Sequence, residues 1–143
     1  MRRARLSIAL LVLVCGGPVG LAARPQNATK APAETTETPT QFYLRYCKAV
    51  PDARSMEEVM AFWRKDMAAD FLRYPPDQRV DINGIKQMYA RFKDVKVTAE
   101  TRGATGATLS LEAVGPEQKP MTGTVYLVKE NGEWKLFGQE AWQ

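Results

Sequence analysis

Val125-Tyr126-Leu127-Val128-Lys129-Glu130-Asn131-Gly132-Glu133-Trp134-Lys135-Leu136 reads as two strands joined by a tight turn, and the architecture of the chain follows from it. Asn-Gly fits the two central positions of a hairpin turn, which require positive φ, and apolar residues recur on both sides of it. The spacing predicts a third strand over residues 121–129 and a fourth from 133 to about 142. Upstream, Ala107, Leu109, Leu111 and Ala113 alternate with Thr108, Ser110 and Glu112, the period of a strand with one buried face. Gly103 and Gly106 mark a turn before it. Earlier still, Val95, Val97 and Ala99 sit opposite Lys96, Thr98 and Glu100 across a first strand. Four successive strands with short connections make an antiparallel meander.

Before Lys93 the period is helical. Thr38-Pro39-Thr40-Gln41 offers a capping hydroxyl, a proline at the first helical position and a glutamine at the third. The helix that starts there carries Phe42, Tyr46, Ala49 and Val50 on one stripe, widened by Tyr43 and Cys47, and is expected to stop at Pro51. Ser55 to Glu58 reads as a second capping box, opening a helix whose Val59, Met60, Trp63 and Met67 share a face and whose pattern continues through Phe71 and Leu72 to Pro75. Asp81 is placed to cap a third helix, with Ile82, Ile85, Met88, Tyr89 and Phe92 turned inward. Three helices followed by four strands indicate an α+β fold, with the helices packed on one side of a curved antiparallel four-stranded sheet.

The start of the chain has a different character. Arg2, Arg3 and Arg5 precede an apolar stretch over residues 6–14 and then small residues through Ala22 and Ala23, the three-part pattern of an export signal. Residues 1–23 are therefore read as a signal peptide, interrupted too often by glycine and proline for a spanning helix. Residues 24–38 hold almost no large apolar side chain and read as a disordered tether. Residues 39–143 form the folded domain. Cys15, at the end of the apolar stretch, is a lipidation candidate, although Val14 stands where such signals carry a small residue. Cleavage near Ala22 gives a periplasmic or extracellular protein, and acylation of Cys15 gives a membrane-anchored one whose sole membrane affinity comes from the lipid.

The chain has 143 residues, enough for one domain beyond the signal. Its formal charge of +4 belongs mostly to the signal: from Pro39 onward 15 Lys and Arg face 14 Asp and Glu. No basic stripe with interleaved aromatics is present, so nucleic acid is not an expected partner. The chain contains no histidine and two cysteines, one of them inside the signal, so no disulfide forms within the mature domain.

The order of elements and the closing stretch from Val125 to Leu136 resemble the nuclear transport factor 2-like superfamily, in particular its small exported bacterial members. The likeness covers residues 38–143. It implies a cone-shaped half-barrel with helices closing one end of a pocket, and a sheet face available for a second copy or an envelope protein partner. Catalytic members of that superfamily use Asp, Tyr or His side chains in the pocket. No such motif can be carried over here, because histidine is absent and the first two strands offer only Val, Ala and Leu on the inner face.

The residue types leave few chemistries open. A zinc site and a Ser-His-Asp arrangement both lack their histidine, Asp66, Asp70, Asp77 and Asp81 have no calcium-loop spacing, and no glycine-rich phosphate loop implies a cofactor. Cys47, in an amphipathic helix without a base beside it, reads as core. The expected pocket residues are Met60, Trp63, Phe92, Tyr126 and Trp134, with no catalytic residue and no metal ligand among them. The composition favours a non-catalytic envelope module that binds an apolar small molecule or a protein partner. The alternative is an isomerase or hydrolase-like enzyme using a pocket carboxylate, Asp66 or Asp70, with Tyr126.

Overall fold

The computed structural model describes residues 36–143. The signal segment, Cys15 and the tether up to residue 35 lie outside the described residues. Helix α1 (Pro39–Asp52) is followed by α2 (Met56–Met60), α3 (Lys65–Arg73) and, after a 3-10 turn at Pro76–Gln78, α4 (Ile82–Ala90). Strands β1 (Lys93–Arg102), β2 (Gly106–Val114), β3 (Pro120–Glu130), β4 (Glu133–Leu136) and β5 (Ala141–Trp142) complete the domain. The sheet is antiparallel in the order β1-β2-β3-β4, and β5 pairs with β3 beyond the end of β4.

The helix starts follow their capping residues. Thr38 accepts from the Gln41 backbone N–H at 3.1 Å while the Gln41 side chain accepts from the Thr38 N–H at 2.8 Å, so two orphan donors of α1 are satisfied reciprocally. Asp81 caps α4 through the Gly84 N–H at 2.7 Å. At α2 the expected box does not form. Ser55 makes no capping bond, and Glu58 reaches back to the Arg54 N–H at 2.8 Å instead. Helix α1 also runs two residues past Val50, taking in Pro51.

Three sequence expectations are corrected. The second helix is not continuous: it breaks at residues 61–64, where Trp63 forms a parallel bridge with Leu136. Leu136 donates to the Phe62 carbonyl at 2.9 Å and accepts from the Arg64 N–H at 3.0 Å. Those sheet-type bonds replace the helical ones and add residues 62–64 along β4. In β1 the alternation reverses part-way. A register shift between Val97 and Ala99 sets Glu100 opposite Leu109, so Ala99 turns outward and Glu100 inward. The expected fourth strand is two pieces, because the chain leaves β3 at Gly138, whose φ is +96°, and returns only at Ala141.

The core lies between the helices and the inner face of the sheet. Leu109, Leu111, Val125 and Leu127 meet Phe42, Tyr43, Tyr46 and Val50 of α1, all 2% exposed or less. The Asn131-Gly132 turn has φ of 53° and 84°, as a two-residue hairpin requires. Among the described residues no buried side-chain nitrogen or oxygen lacks a hydrogen bond, and no helix is long and apolar enough to cross a membrane.

The displaced Glu100 ties sheet to helix. Its Oε2 accepts from the Thr40 N–H at 2.9 Å and the Thr40 hydroxyl at 2.6 Å, at the positive end of α1, and Arg102 pairs with Oε1. Burial pushes this carboxyl up, but the bonds from Thr40 and Arg102 outweigh it and hold it below the usual value. A carboxyl lowered in the folded state stabilises above its unfolded pKa, and that contribution is lost as pH falls through the folded value. Glu100→Gln is expected to cost about 0.5–1.5 kcal/mol at neutral pH. Urea unfolding should show the two proteins converging in acid.

A candidate ligand cavity beside Glu140

The break in the last strand creates the site. Between Leu136 and Ala141 the chain runs Phe137-Gly138-Gln139-Glu140 outside the ladder, and Glu140 turns in beneath the helices instead of pairing along β3. There it lines a cavity of about 340 Å³. Trp63, Phe71, Ile85, Phe92 and Trp142 give apolar walls, and Tyr74, Val80 and Met88 stand exposed at its rim. Among the described residues that line it, Glu140 is the sole carboxylate and none is lysine or arginine.

Three donors converge on that carboxyl. Oε1 accepts from the Tyr43 hydroxyl at 2.9 Å and from the Tyr89 hydroxyl at 3.0 Å, and Oε2 accepts from the Trp142 indole N–H at 3.3 Å. Burial pushes the Glu140 carboxyl above its usual value, and the bonds from Tyr43, Trp142 and Tyr89 only partly offset this. The phenols respond in the same direction. Burial first, then the nearby Glu140 charge, raises Tyr43, and burial followed by Tyr46 and Glu140 raises Tyr89. Burial also brings Tyr46 to about 12 against hydrogen bonds from Tyr89 and Trp63. All three remain protonated donors at neutral pH.

The Tyr89 hydroxyl lies 2.8 Å from that of Tyr46 and 3.0 Å from Glu140, with one proton for two neighbours. When Glu140 is ionised, the charge-assisted bond is the stronger, so Tyr89 donates to the carboxylate and accepts from Tyr46. When Glu140 is protonated, Tyr89 is free to donate to Tyr46. The row Tyr46, Tyr89, Glu140 therefore reorients with the protonation of its last member. Cys47, on the far side of Tyr43, is raised to about 12 by burial against a bond from Tyr43 and stays a thiol.

Of the expected pocket residues, Trp63 and Phe92 line this cavity. Phe92 stacks on Trp142 with centroids 4.5 Å apart and planes 16° from parallel, and this pair with Glu140 also borders a second cavity reaching Cys47 and Lys86. Met60 borders a shallow groove with Leu72 and Val80 instead. Trp134 is core at the other end of α1, its indole N–H donating to the Glu37 carbonyl at 2.9 Å. Tyr126 stands 50% exposed on the outer face of β3, because Val125 and Leu127 take the inward positions. Asp66 and Asp70 face water, paired with Arg64 and Arg73. The carboxylate and tyrosines that meet in the cavity are thus Glu140, Tyr43, Tyr46 and Tyr89. The sequence pattern placed all three tyrosines on buried helix stripes and gave Glu140 no role. Gly138 inside an expected strand was the available signal, since an isolated strand glycine marks a bulge or break.

The fold and site together define a small α+β domain with helices packed on one face of an antiparallel sheet and a cavity between the two layers. No protein-family model matches the chain, and no curated protein matches it. Among solved structures it is similar to a Campylobacter jejuni protein described as "Putative NTF2-like transpeptidase", with 15% identity and a TM-score of 0.46, over 71% of this chain and 99% of that one.

Proposed function

We propose that the domain binds a small, largely apolar molecule in the cavity beside Glu140, outside the cytoplasm if residues 1–23 act as the export signal their pattern describes. The observation that carries this reading is an open cavity of about 340 Å³ with aromatic and aliphatic walls and a single carboxyl, a size and polarity suited to a small ligand. N-phenyl-1-naphthylamine, whose fluorescence rises in apolar surroundings, is a direct probe. Met88→Trp at the rim is expected to weaken its binding by about tenfold. Leu44→Trp, at an exposed position away from the cavity, should leave it unchanged. Absence of binding, or equal binding to the Met88 variant and the parent, would overturn the reading.

One observation favours a second reading. A raised carboxyl within 3.0 Å of the Tyr89 hydroxyl, in an apolar cavity, has the composition of a general acid–base pair. In that reading Glu140 takes a proton from a carbon beside a carbonyl, and Tyr89 donates to the developing oxyanion. Deuterium incorporation from solvent into cyclohexanone, lost in Glu140→Gln, would support it; no incorporation above buffer would sink it.

A further inference from the structure

We infer that the molecule this cavity selects is a hydrophobic amine, bound as its ammonium with the charge against Glu140 Oε2 and the apolar body among the aromatic walls. The inference rests on the small-molecule reading above and names the class of ligand. A carboxylate offers about four acceptor positions over its two oxygens. Tyr43 and Tyr89 fill Oε1, whereas among the described residues Oε2 has only the Trp142 indole N–H, at 3.3 Å, and keeps a position open.

Charge points the same way. Among the described residues the titratable groups facing Glu140 are Tyr43, Tyr46 and Cys47 from α1 and Tyr89 from α4, all neutral, and no cation is among those acting on it. Lys86 of α4 borders the second cavity, which Glu140 also lines, but forms no ion pair with it. A half-buried carboxylate in apolar surroundings without a counter-charge is costly, and an incoming ammonium supplies that charge. An anionic ligand would meet the carboxylate with no cation to receive it. A neutral ligand would leave Glu140 without its counter-charge.

The walls are suited to the same guest. Trp142 and Phe92 form one stacked pair, Trp63 and Phe71 an edge-to-face pair with centroids 5.5 Å apart, and Tyr46 and Tyr89 another at 5.4 Å. Aromatic faces attract a cation through their quadrupole and its hydrocarbon part through burial, most strongly where water is excluded. A carboxylate framed by such rings discriminates an ammonium from an alcohol of the same shape.

The test uses 2-phenylethylamine, an ammonium at neutral pH, and 2-phenylethanol, close to it in shape and uncharged. Both are titrated by competition against N-phenyl-1-naphthylamine. The amine is expected to bind at least about tenfold tighter than the alcohol, or 1.4 kcal/mol. That ratio should fall to near unity in Glu140→Gln, survive in part in Glu140→Asp, and shrink in acid as Glu140 takes up a proton. Circular dichroism confirms that each variant is folded. Equal affinities for amine and alcohol, with both displacing the probe, overturn the ammonium preference and leave the apolar cavity standing. A ratio unchanged in Glu140→Gln overturns the role of Glu140. If neither compound nor the probe binds, the small-molecule reading fails with it.

Discussion

Tyr43→Ala is expected to destabilise the domain by about 3–5 kcal/mol, the cost of deleting a large buried aromatic ring whose site cannot fully collapse. Tyr43 is 0% exposed, sits on the inner stripe of α1, and packs near Tyr46 with ring centroids 6.5 Å apart. Its removal leaves a void between α1 and the sheet and takes one donor from Glu140. Tyr43→Phe separates the two losses. It keeps the ring and removes only the hydroxyl, so it should cost about 0.5–1.5 kcal/mol. The same change raises the Glu140 carboxyl further. A carboxyl raised in the folded state contributes stability that is present below its unfolded pKa and lost as pH rises through the folded value. The cost of Tyr43→Phe should therefore be smaller in acid, where Glu140 is protonated and less dependent on donors. Urea unfolding at acid and neutral pH measures both variants, and a Tyr43→Ala cost below that of Tyr43→Phe would contradict the packing described.

Gly123→Val should also have a large effect, with its reason on a different element. Gly123 lies on the inner face of β3 opposite Trp142, and a Cβ built on it would sit 2.7 Å from Cε3 of the indole. The absent side chain is what lets Trp142 lie flat against the sheet and stack on Phe92. Valine forces the indole off, at about 1–3 kcal/mol for overpacking. The Glu140 Oε2 then loses the Trp142 indole donor, and the wall between the two cavities opens. A red shift of tryptophan emission and weaker probe binding are the expected readouts. A variant with parental stability and emission would show that Trp142 is not held in this way.

Much of the domain was legible because its rules are local. The Asn131-Gly132 turn, the reciprocal bonds of Thr38 and Gln41, the Asp81 cap and the strict alternation of β2 each depend on residues within a few positions of one another. The departures all depend on partners far along the chain. The helix beginning at Met56 ends because Phe62 and Arg64 find the backbone of Leu136, more than seventy residues away. The reversal in β1 places Glu100 where it meets Thr40, at a separation of 60. For the candidate site, period and composition named Trp63 and Phe92 among five candidates, and these two border the cavity. Those signals could not identify Glu140, because its inward turn depends on how residues 137–140 bypass the ladder and on tyrosines from two helices. Tyr126 was misplaced for a simpler reason: on a strand with one buried face, its neighbours Val125 and Leu127 hold the inner positions and leave it outside.

The bridge between Trp63 and Leu136 also bears on the edges of the sheet. An unpaired outer strand is a template for another chain, and sheet proteins that leave one long and flat tend to polymerise. Here Phe62 and Arg64 occupy the backbone groups of Leu136 on the β4 side. The opposite margin, β1, is kinked by two register shifts and carries exposed Lys93, Asp94 and Lys96. One border has its last β4 residue paired by the chain itself and the other is bent and charged, which shortens the straight hydrogen-bonding ledge at each.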